Sequence, residues 1–203
     1  MVRHIRNKKG VTLIELTITI LVVAIIGATI GGTVIFFVQM FMFSPRQLNT
    51  QSIASELTQI MIEGGQDARG IRYATEVIDA SAAQFSYTYG YPTEDDQLSV
   101  RFRYDAGDDY IYKSTSTDGG SSWSSEEVIP YYIQSGVVVD GKDAPSEIFT
   151  YKKAADAAWV SGVDALTDIE RVVISLNVKT ETGNFQDFHG STDTTSSVEV
   201  KGF

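Results

Sequence analysis

The stretch VTLIELTITILVVAIIGATIGGTVIFFVQMFMF, residues 11–43, decides the organisation of the whole chain. Its only charged residue is Glu15. A bilayer span needs about 20 apolar residues, so the run from Leu16 to Phe43 is long enough to cross a membrane. The preceding residues 1–10, MVRHIRNKKG, contain four Lys or Arg residues and no acid. This basic flank predicts that residues 1–10 stay in the cytoplasm and that the chain after the span is exported.

Two plainer interpretations of this segment fit less well. A secretory signal peptide has an apolar core of about 7–15 residues with a small-residue cleavage site after it. Here the apolar run is longer, and Pro45 opens a polar, helix-patterned stretch. An ordinary single-pass anchor has no use for Glu15, because a carboxylate in a membrane segment costs about 3 kcal/mol by insertion scales. The acid therefore indicates a specific role.

The order of residues around the acid is typical of one family. Lys9-Gly10 followed by Val11-Thr12-Leu13-Ile14-Glu15 resembles the prepilin cleavage and methylation motif of type IV pilin-like proteins, and the resemblance covers residues 6–35. It implies that a prepilin peptidase cuts between Gly10 and Val11 and that the new amine of Val11 is N-methylated. It also implies other pilin or pseudopilin subunits and an inner-membrane assembly platform as partners. Before assembly the chain is then expected in the cytoplasmic (inner) membrane, and afterwards in a pilus or pseudopilus.

The resemblance gives Glu15 an assembly role as the fifth mature residue. A carboxylate buried in a filament core needs a cation beside it. The methylated amine of Val11 on a neighbouring subunit supplies one, because methylation retains the charge. Val11 stands where major pilins usually have Phe, and Gly32 where they often have Pro. Both departures favour a minor pilin or a type II secretion pseudopilin, J-like or W-like.

Three glycines in the span form a small-residue pattern. Gly27-x-x-x-Gly31, with Gly32 beside it, lets two membrane helices approach closely. The alternative is that glycine is simply common in membrane helices.

The predicted layout has four parts. Residues 1–10 form a cleaved leader, 11–43 a transmembrane assembly helix, 44–72 an amphipathic helix continuation, and 73–203 an exported β-rich head. In the third part Leu48, Ile53, Leu57, Ile60 and Met61 recur at helical spacing, and Gly64-Gly65 is a plausible helix end, with a further turn or two up to Tyr73.

Beyond residue 80 apolar residues alternate with polar ones, which predicts strands. The predicted strands are 85–91, 98–104, 110–114, 131–139, 147–151, 171–178 and 197–203. One antiparallel sheet is expected to pack a face on the helix. The predicted fold class is therefore α+β.

The sequence Ser116-Thr117-Asp118-Gly119-Gly120-Ser121-Ser122-Trp123 resembles the Asp-box hairpin turn of β-propellers. In those families Asp and Ser hold the turn and Trp packs beneath it. A single copy builds no propeller. Ser116, Asp118, Gly120 and Trp123 are therefore predicted to form a structural turn rather than a glycan site.

Charge and composition restrict the partners. The chain has 203 residues, no cysteine, and 16 Lys+Arg against 26 Asp+Glu; removing the four leader bases leaves 12 bases and a net charge of −14. Such a head repels nucleic acid and anionic lipid. No Gly-x-Ser-x-Gly elbow, Walker A loop or dinucleotide fingerprint occurs, so the chain is predicted not to be an enzyme.

Metal binding remains a minor hypothesis. The acid clusters Glu94-Asp95-Asp96 and Asp105, Asp108, Asp109 offer oxygens to calcium but lack the spacing of an EF-hand loop. His189 lies between Asp187 and Asp193, where a surface loop is the simpler interpretation. No cofactor is predicted.

The sequence leaves three functions open. The first is a minor pilin, the second a pseudopilin of a type II secretion system, and the third an anchored adhesin or binding head that never assembles. The third needs neither Glu15 nor leader cleavage.

We expect Glu15→Val to keep the chain in the membrane but to lower its entry into filaments, because valine offers no partner to the Val11 amine. Immunoblots of sheared filaments and of membranes measure the two pools. Filament entry at the wild-type level would contradict the assembly role of Glu15.

Overall fold

The computed structural model of this protein describes residues 12–65, 67–90, 98–130, 137–180 and 191–200, without the side chains of residues 42–46. The chain divides into two compact units, Met1–Ser44 and Pro45–Phe203. Helix α1, Leu13–Glu63, contributes residues to both units.

The first unit contains the apolar part of α1. Its stretch Leu13–Phe41 has 29 residues and a mean hydropathy of 2.5, and none of it is buried inside the protein. By length and composition it can cross a membrane. Four threonine hydroxyls donate to carbonyl oxygens three or four residues earlier; the pairs are Thr17–Ile14, Thr19–Glu15, Thr29–Ile26 and Thr33–Thr29. These internal bonds let an apolar span carry hydroxyl groups where no water is present.

In the second unit α1 is apolar on one side. Ile53, Ala54, Leu57 and Met61 are buried at helical spacing. The opposite side is polar and exposed; it includes Gln51, Ser52, Ser55 and Gln59. Leu48, predicted to belong to the apolar series, is instead 64% exposed.

The helix ends at Glu63, directly before Gly64-Gly65, where the sequence predicted a helix end; the predicted part 44–72 therefore contains the helix up to Glu63 and a separate short turn near residue 72. Gly64 has a φ of +99°, and a Cβ built there would lie 2.3 Å from the Ala68 carbonyl oxygen. Only glycine fits this left-handed position, which stops the helix. The chain then crosses back on itself through a bridge between Gly64 and Arg69. A 3-10 turn, Ile71–Tyr73, follows.

The described residues form two antiparallel sheets, where one was predicted. Sheet 1 has the order β1-β2-β3-β4-β5. Its strands are β1 Ala74–Ala80, β2 Gln84–Tyr89, β3 Leu98–Asp105, β4 Tyr110–Ser116 and β5 Glu127–Ile129. Sheet 2 has the order β10-β9-β7-β8, with β6 also paired to β9. Its strands are β6 Val137–Gly141, β7 Phe149–Lys153, β8 Ala157–Ala158, β9 Arg171–Thr180 and β10 Ser191–Glu199.

The predicted strands match β2, β3, β4 and β9 closely, whereas β1, β5 and β8 were missed. Strand β1 shows why. Its buried residues are Ala74, Val77 and Ala80, at a spacing of three. Two register shifts against β2 break the two-residue period, which is what bulges do to a strand. In sheet 2, β10 lies earlier than the predicted 197–203, while residues 131–136 and 201–203 lie outside the described residues.

Both sheets and the helix share one hydrophobic core. Aromatic side chains on alternate positions of sheet 1 are buried, with the rings of Phe85 and Tyr87 stacked at 5.7 Å between centroids. The hydroxyl of Tyr87 donates to the Arg69 carbonyl oxygen at 2.7 Å, which fastens the segment after the helix to the sheet. The α+β class is therefore confirmed: a long N-terminal helix packs on antiparallel sheets.

We expect Leu57→Ala to lower the unfolding free energy of the second unit by about 2–5 kcal/mol, because Leu57 is fully buried and alanine leaves a cavity. The exposed Leu48 is a matched control in the same helix, and Leu48→Ala is expected to change stability by less than about 0.5 kcal/mol. Denaturant titration of the full-length chain in detergent, followed by circular dichroism, compares the two. Equal effects would contradict this assignment of the core.

Candidate functional site

The first candidate site lies at the beginning of α1. Gly10 and Val11, the predicted cleavage and methylation residues, lie outside the described residues. The described part begins at Thr12, next to the predicted amine.

Thr12 and Glu15 form a capping box. The Glu15 Oε2 atom accepts hydrogen bonds from the Thr12 backbone N–H and from the Thr12 hydroxyl, each at 3.0 Å. In return, the Glu15 backbone N–H donates to Thr12 Oγ1 at 3.3 Å. The Leu16 N–H donates to the Thr12 carbonyl oxygen at 3.2 Å and starts the helix. Two free N–H groups at the helix end are thus satisfied by the two side chains.

The capping box gives Glu15 an intrachain partner that the sequence analysis missed. The pattern Thr-x-x-Glu before an apolar run is its known signature, so Thr12 could have been found from sequence. Only Oε2 is used by Thr12, and Oε1 accepts no hydrogen bond from the part of the chain that the structure describes. This second oxygen can accept from a group outside the helix.

The three predicted packing glycines all lie in α1. A Cβ built at Gly27, Gly31 or Gly32 would meet no atom within 4 Å. No contact within the described chain therefore requires glycine at these positions. The face stays open to close approach by another helix.

The second candidate site is the turn between β4 and β5. The structure brings Ser116, Asp118, Gly120 and Trp123 together there. Ser116 Oγ donates to Asp118 Oδ1 at 2.6 Å and accepts from the Gly120 N–H at 2.9 Å. Asp118 also accepts from the backbone N–H of Ser122 at 2.9 Å and from the Ser122 hydroxyl. The hydrogen bonds from Ser116 and Ser122 hold the pKa of the Asp118 carboxyl well below its usual range.

Gly120 lets the turn fold down onto the outer face of sheet 1. Its φ is +86°, and a Cβ there would lie 3.2 Å from both Ile78 and Trp123. The Trp123 ring lies under the guanidinium of Arg101, with the Cζ atom 4.6 Å from the ring centroid. The tryptophan is therefore engaged in packing and a cation–π contact.

An arginine–carboxylate network continues from this turn and was not predicted. Glu126 binds Arg103 through two bonds, of 2.9 Å and 2.6 Å, and Arg101 at 3.2 Å. Arg101 also donates to the Ser114 hydroxyl at 3.1 Å. The alternation of Arg101 and Arg103 in β3 marked the polar face of the sheet, but sequence could not show that residues 117–126 fold over that face.

The acidic residues of the β3–β4 turn are each engaged within the chain. Asp105 accepts from Arg103 at 2.7 Å, and Asp109 accepts from the Tyr104 hydroxyl at 2.8 Å. Asp108 accepts from the Tyr112 hydroxyl. The cluster at 94–96 and His189 lie outside the described residues. Within the described ranges, no group of three or more His, Cys, Asp or Glu side chains is placed to hold a metal ion.

Comparisons with known proteins bear on the first site. The family model described as the prokaryotic N-terminal methylation motif matches residues 5–31. Among solved structures, the chain is similar to a type IV-like pilin from Thermus thermophilus, with 10% sequence identity and a TM-score of 0.44 over 76% of this chain and 95% of that chain. No curated protein matches the chain. The matched residues 5–31 include the segment from Gly10 to Glu15 and two of the three predicted packing glycines, Gly27 and Gly31.

We expect Asp118→Asn to lower the melting temperature at neutral pH, because an amide nitrogen replaces one of the two carboxylate oxygens that accept hydrogen bonds in the turn. The low native pKa means that ionised Asp118 stabilises the fold fully above the ordinary aspartate value of 3.8, and that this contribution falls as the pH drops below it. The variant should therefore lose less stability than the wild type between about pH 6 and about pH 3.

Melting curves of the full-length chain at the two pH values test this. The matched control is Asp143→Asn, at an exposed aspartate in the β6–β7 connection. A pH dependence that is identical in both variants would contradict the role of Asp118.

Proposed function

We infer that this chain, a type IV pilin-like prepilin by its N-terminal methylation motif, is a structural subunit that assembles through α1 into a pilus-like filament. The observation that supports this most is Glu15, the only charged residue between residues 11 and 43. Its carboxylate lies at the start of a 29-residue apolar span. A lone acid in such a place is usually functional.

The geometry around Glu15 fits an assembly contact. In the single chain Oε2 is held by Thr12, which keeps the carboxylate at the end of the helix. Oε1 remains for a cation from outside. In the proposed filament this cation is the methylated amine of Val11 on a neighbouring subunit, and the pair sets the axial register. Without a cation, burial of the charge in a filament core would be costly.

The proposed route to the filament follows from the charges of the leader. The four bases of residues 1–10 keep the leader in the cytoplasm. A prepilin peptidase cuts there after Gly10, and Val11 becomes the methylated N-terminus. The processed chain waits in the inner membrane with its head outside the cytoplasm. An assembly platform then extracts it, and the open Gly27–Gly32 face packs on neighbouring helices.

Val11 and Gly32 favour a minor subunit over the abundant one, because major pilins usually carry Phe and often Pro at these places. The alternative within the same class is a minor pseudopilin of a type II secretion system. A pilus subunit serves surface fibres, twitching or DNA uptake, whereas a pseudopilin serves the release of exported enzymes. Deleting the chain and scoring both sets of traits separates the two.

The alternative of another class is an exported adhesin or binding head that stays anchored. Such a protein would keep its leader. The first site, rather than the head, therefore distinguishes the classes.

We expect the N-terminal peptide of the chain, expressed with an active prepilin peptidase, to begin at Val11 and to carry one added methyl group. Peptide mass spectrometry with and without the peptidase measures both changes. The control without peptidase should give the intact leader. An intact leader in the presence of active peptidase would contradict the assembly function and support the anchored head.

A further inference from the structure

The segment between β7 and β9 exposes apolar side chains without burying them on the rest of the unit. Val160 is 51% exposed and Val163 is 79% exposed. The residues Ala154 to Ala158 are exposed throughout. The exposed valines and alanines lie close together in sequence, and exposed apolar surface in a soluble domain marks an interaction site when it is large enough.

This segment is held in place by specific contacts. The Trp159 indole N–H donates to the Ala165 carbonyl oxygen at 2.9 Å, and its ring meets the Tyr151 ring edge-on at 5.5 Å. Asp164 accepts from the Val160 N–H at 2.8 Å and from Lys153 Nζ at 2.7 Å. The turn that carries Val160 and Val163 is thus fixed on both sides, so the apolar surface is preorganised.

Among the strands that the structure describes, β8 stands at an edge of sheet 2, with β7 on one side and an open edge on the other. Ala157 and Ala158 pair with Lys153 and Lys152 of β7, and the Trp159 N–H donates to the Tyr151 carbonyl oxygen at 3.1 Å. Hydrogen-bonded pairs alternate along an antiparallel ladder. Since Trp159 faces β7, the N–H and C=O of Ala158 point away from β7, toward the open edge. An extended segment can pair with them.

The chain enters β8 through two consecutive non-glycine residues in the left-handed region. Ala155 and Asp156 both have a φ of +59°. Such conformations persist only where the surroundings enforce them, and here Arg171 binds Asp156 at 2.6 Å. This strained corner leads directly into β8.

A cavity of about 650 Å³ adjoins this corner. Ala155 and Asp156, the two residues directly before β8, line it. The charged residues of its wall are two bases and three acids; they are Lys153, Arg171, Asp156, Glu170 and Glu199. Arg171 is shared between Asp156 at 2.6 Å and Glu199 at 3.5 Å. Lys153 is bound by Asp164, which lies outside the wall. The pairs leave the wall with excess negative charge.

These properties indicate the chemistry of the occupant. An acidic cavity favours a partner with a basic side chain. A second copy of this chain would bring another acidic surface, because the mature chain carries 12 bases against 26 acids. A different subunit with a basic, strand-forming segment meets both requirements.

We propose that Ala157–Val163 together with the adjoining cavity, here called the β8 edge, docks an extended segment of a different filament subunit. That segment pairs its main chain with Ala158, covers Val160 and Val163, and places a Lys or Arg side chain in the cavity. This inference rests on the proposed function, because the partner is another exported filament subunit.

The test is photocrosslinking of the full-length chain in its native host. Val163 is replaced by the photoreactive amino acid p-benzoylphenylalanine, Val163→p-benzoylphenylalanine. Ser121, an exposed residue of the β4–β5 turn, receives the same replacement as the matched control. Ile18, in the apolar span of α1, receives the same replacement, and its crosslinks to other subunits show whether the chain assembles. The expected result is an adduct from position 163, but not from 121, whose crosslinked peptide belongs to another subunit and contains Lys or Arg.

Further substitutions in the chain that carries the probe at position 163 test the cavity charges and the main-chain pairing separately. Reversing two cavity charges, Glu170→Lys with Glu199→Lys, should lower the adduct by about tenfold through like-charge repulsion. The matched control reverses two exposed acids elsewhere, Asp143→Lys with Glu147→Lys, and should leave the adduct unchanged. Ala158→Pro removes the N–H that faces the open edge and should also abolish the adduct, whereas Ala158→Val retains it.

Three results would overturn the inference. They are an adduct of the chain with itself, no adduct from 163 while Ile18 crosslinks to filament subunits, and an adduct that survives the charge reversal. Each of these three results would leave the proposed function intact. If neither Ile18 nor position 163 crosslinks to any filament subunit and the leader stays intact, the proposed function fails and the inference fails with it.

Discussion

The packing of Ile53, Leu57 and Met61 into a core shared by two sheets is the contact on which the second unit depends. These side chains belong to a helix whose earlier part is apolar all round, and only beyond it does the sequence restrict apolar residues to one side. A stripe of this kind must be covered, and here the covering layer is formed by the sheets. Gly64 then ends the helix, and the Tyr87 hydroxyl fixes the following segment at Arg69. The position of sheet 1 follows from that connection.

The parts of the fold that sequence predicted are those with one regular period. The span, the amphipathic stretch and strands β2, β3, β4 and β9 repeat their apolar residues at helical or two-residue spacing. Strand β1 does not, because its bulges shift the buried positions to a spacing of three. Strand β10 consists mostly of Ser and Thr, so its sequence shows no apolar alternation. It is a strand because it pairs with β9, from Ser191 opposite Lys179 to Glu199 opposite Arg171. Periodicity alone also could not divide the strands between two sheets.

The candidate sites also differ in how far the sequence could predict them. Glu15 was visible because one charge in an apolar run has an electrostatic cost. Its partner Thr12 is local in sequence and carried a known signature. The Arg101–Trp123 contact and the Glu126 network join residues from β3 and from the β4–β5 connection, so only the folded chain shows them. Five hydroxyl-bearing residues on the outer face of sheet 1 are buried; they are Ser86, Thr88, Ser99, Ser114 and Ser116. Their burial could not be predicted from sequence either, because it depends on the segment that covers this face.

The pairing of distant segments at the helix has a consequence for the order of folding. Sheet 1 is a meander in which each strand pairs with the next one along the chain, so it can form from contacts that are local in sequence. Strand β10 differs, because Gln47 donates to the Ser191 carbonyl oxygen and Thr50 bonds to Thr192, across 144 and 142 positions of sequence. This closure waits until β10, the last of the described strands, has been made. Until then the helix side near Gln47 and Thr50 lacks its final cover, so a chain cut short before β10 would leave this side of the helix exposed.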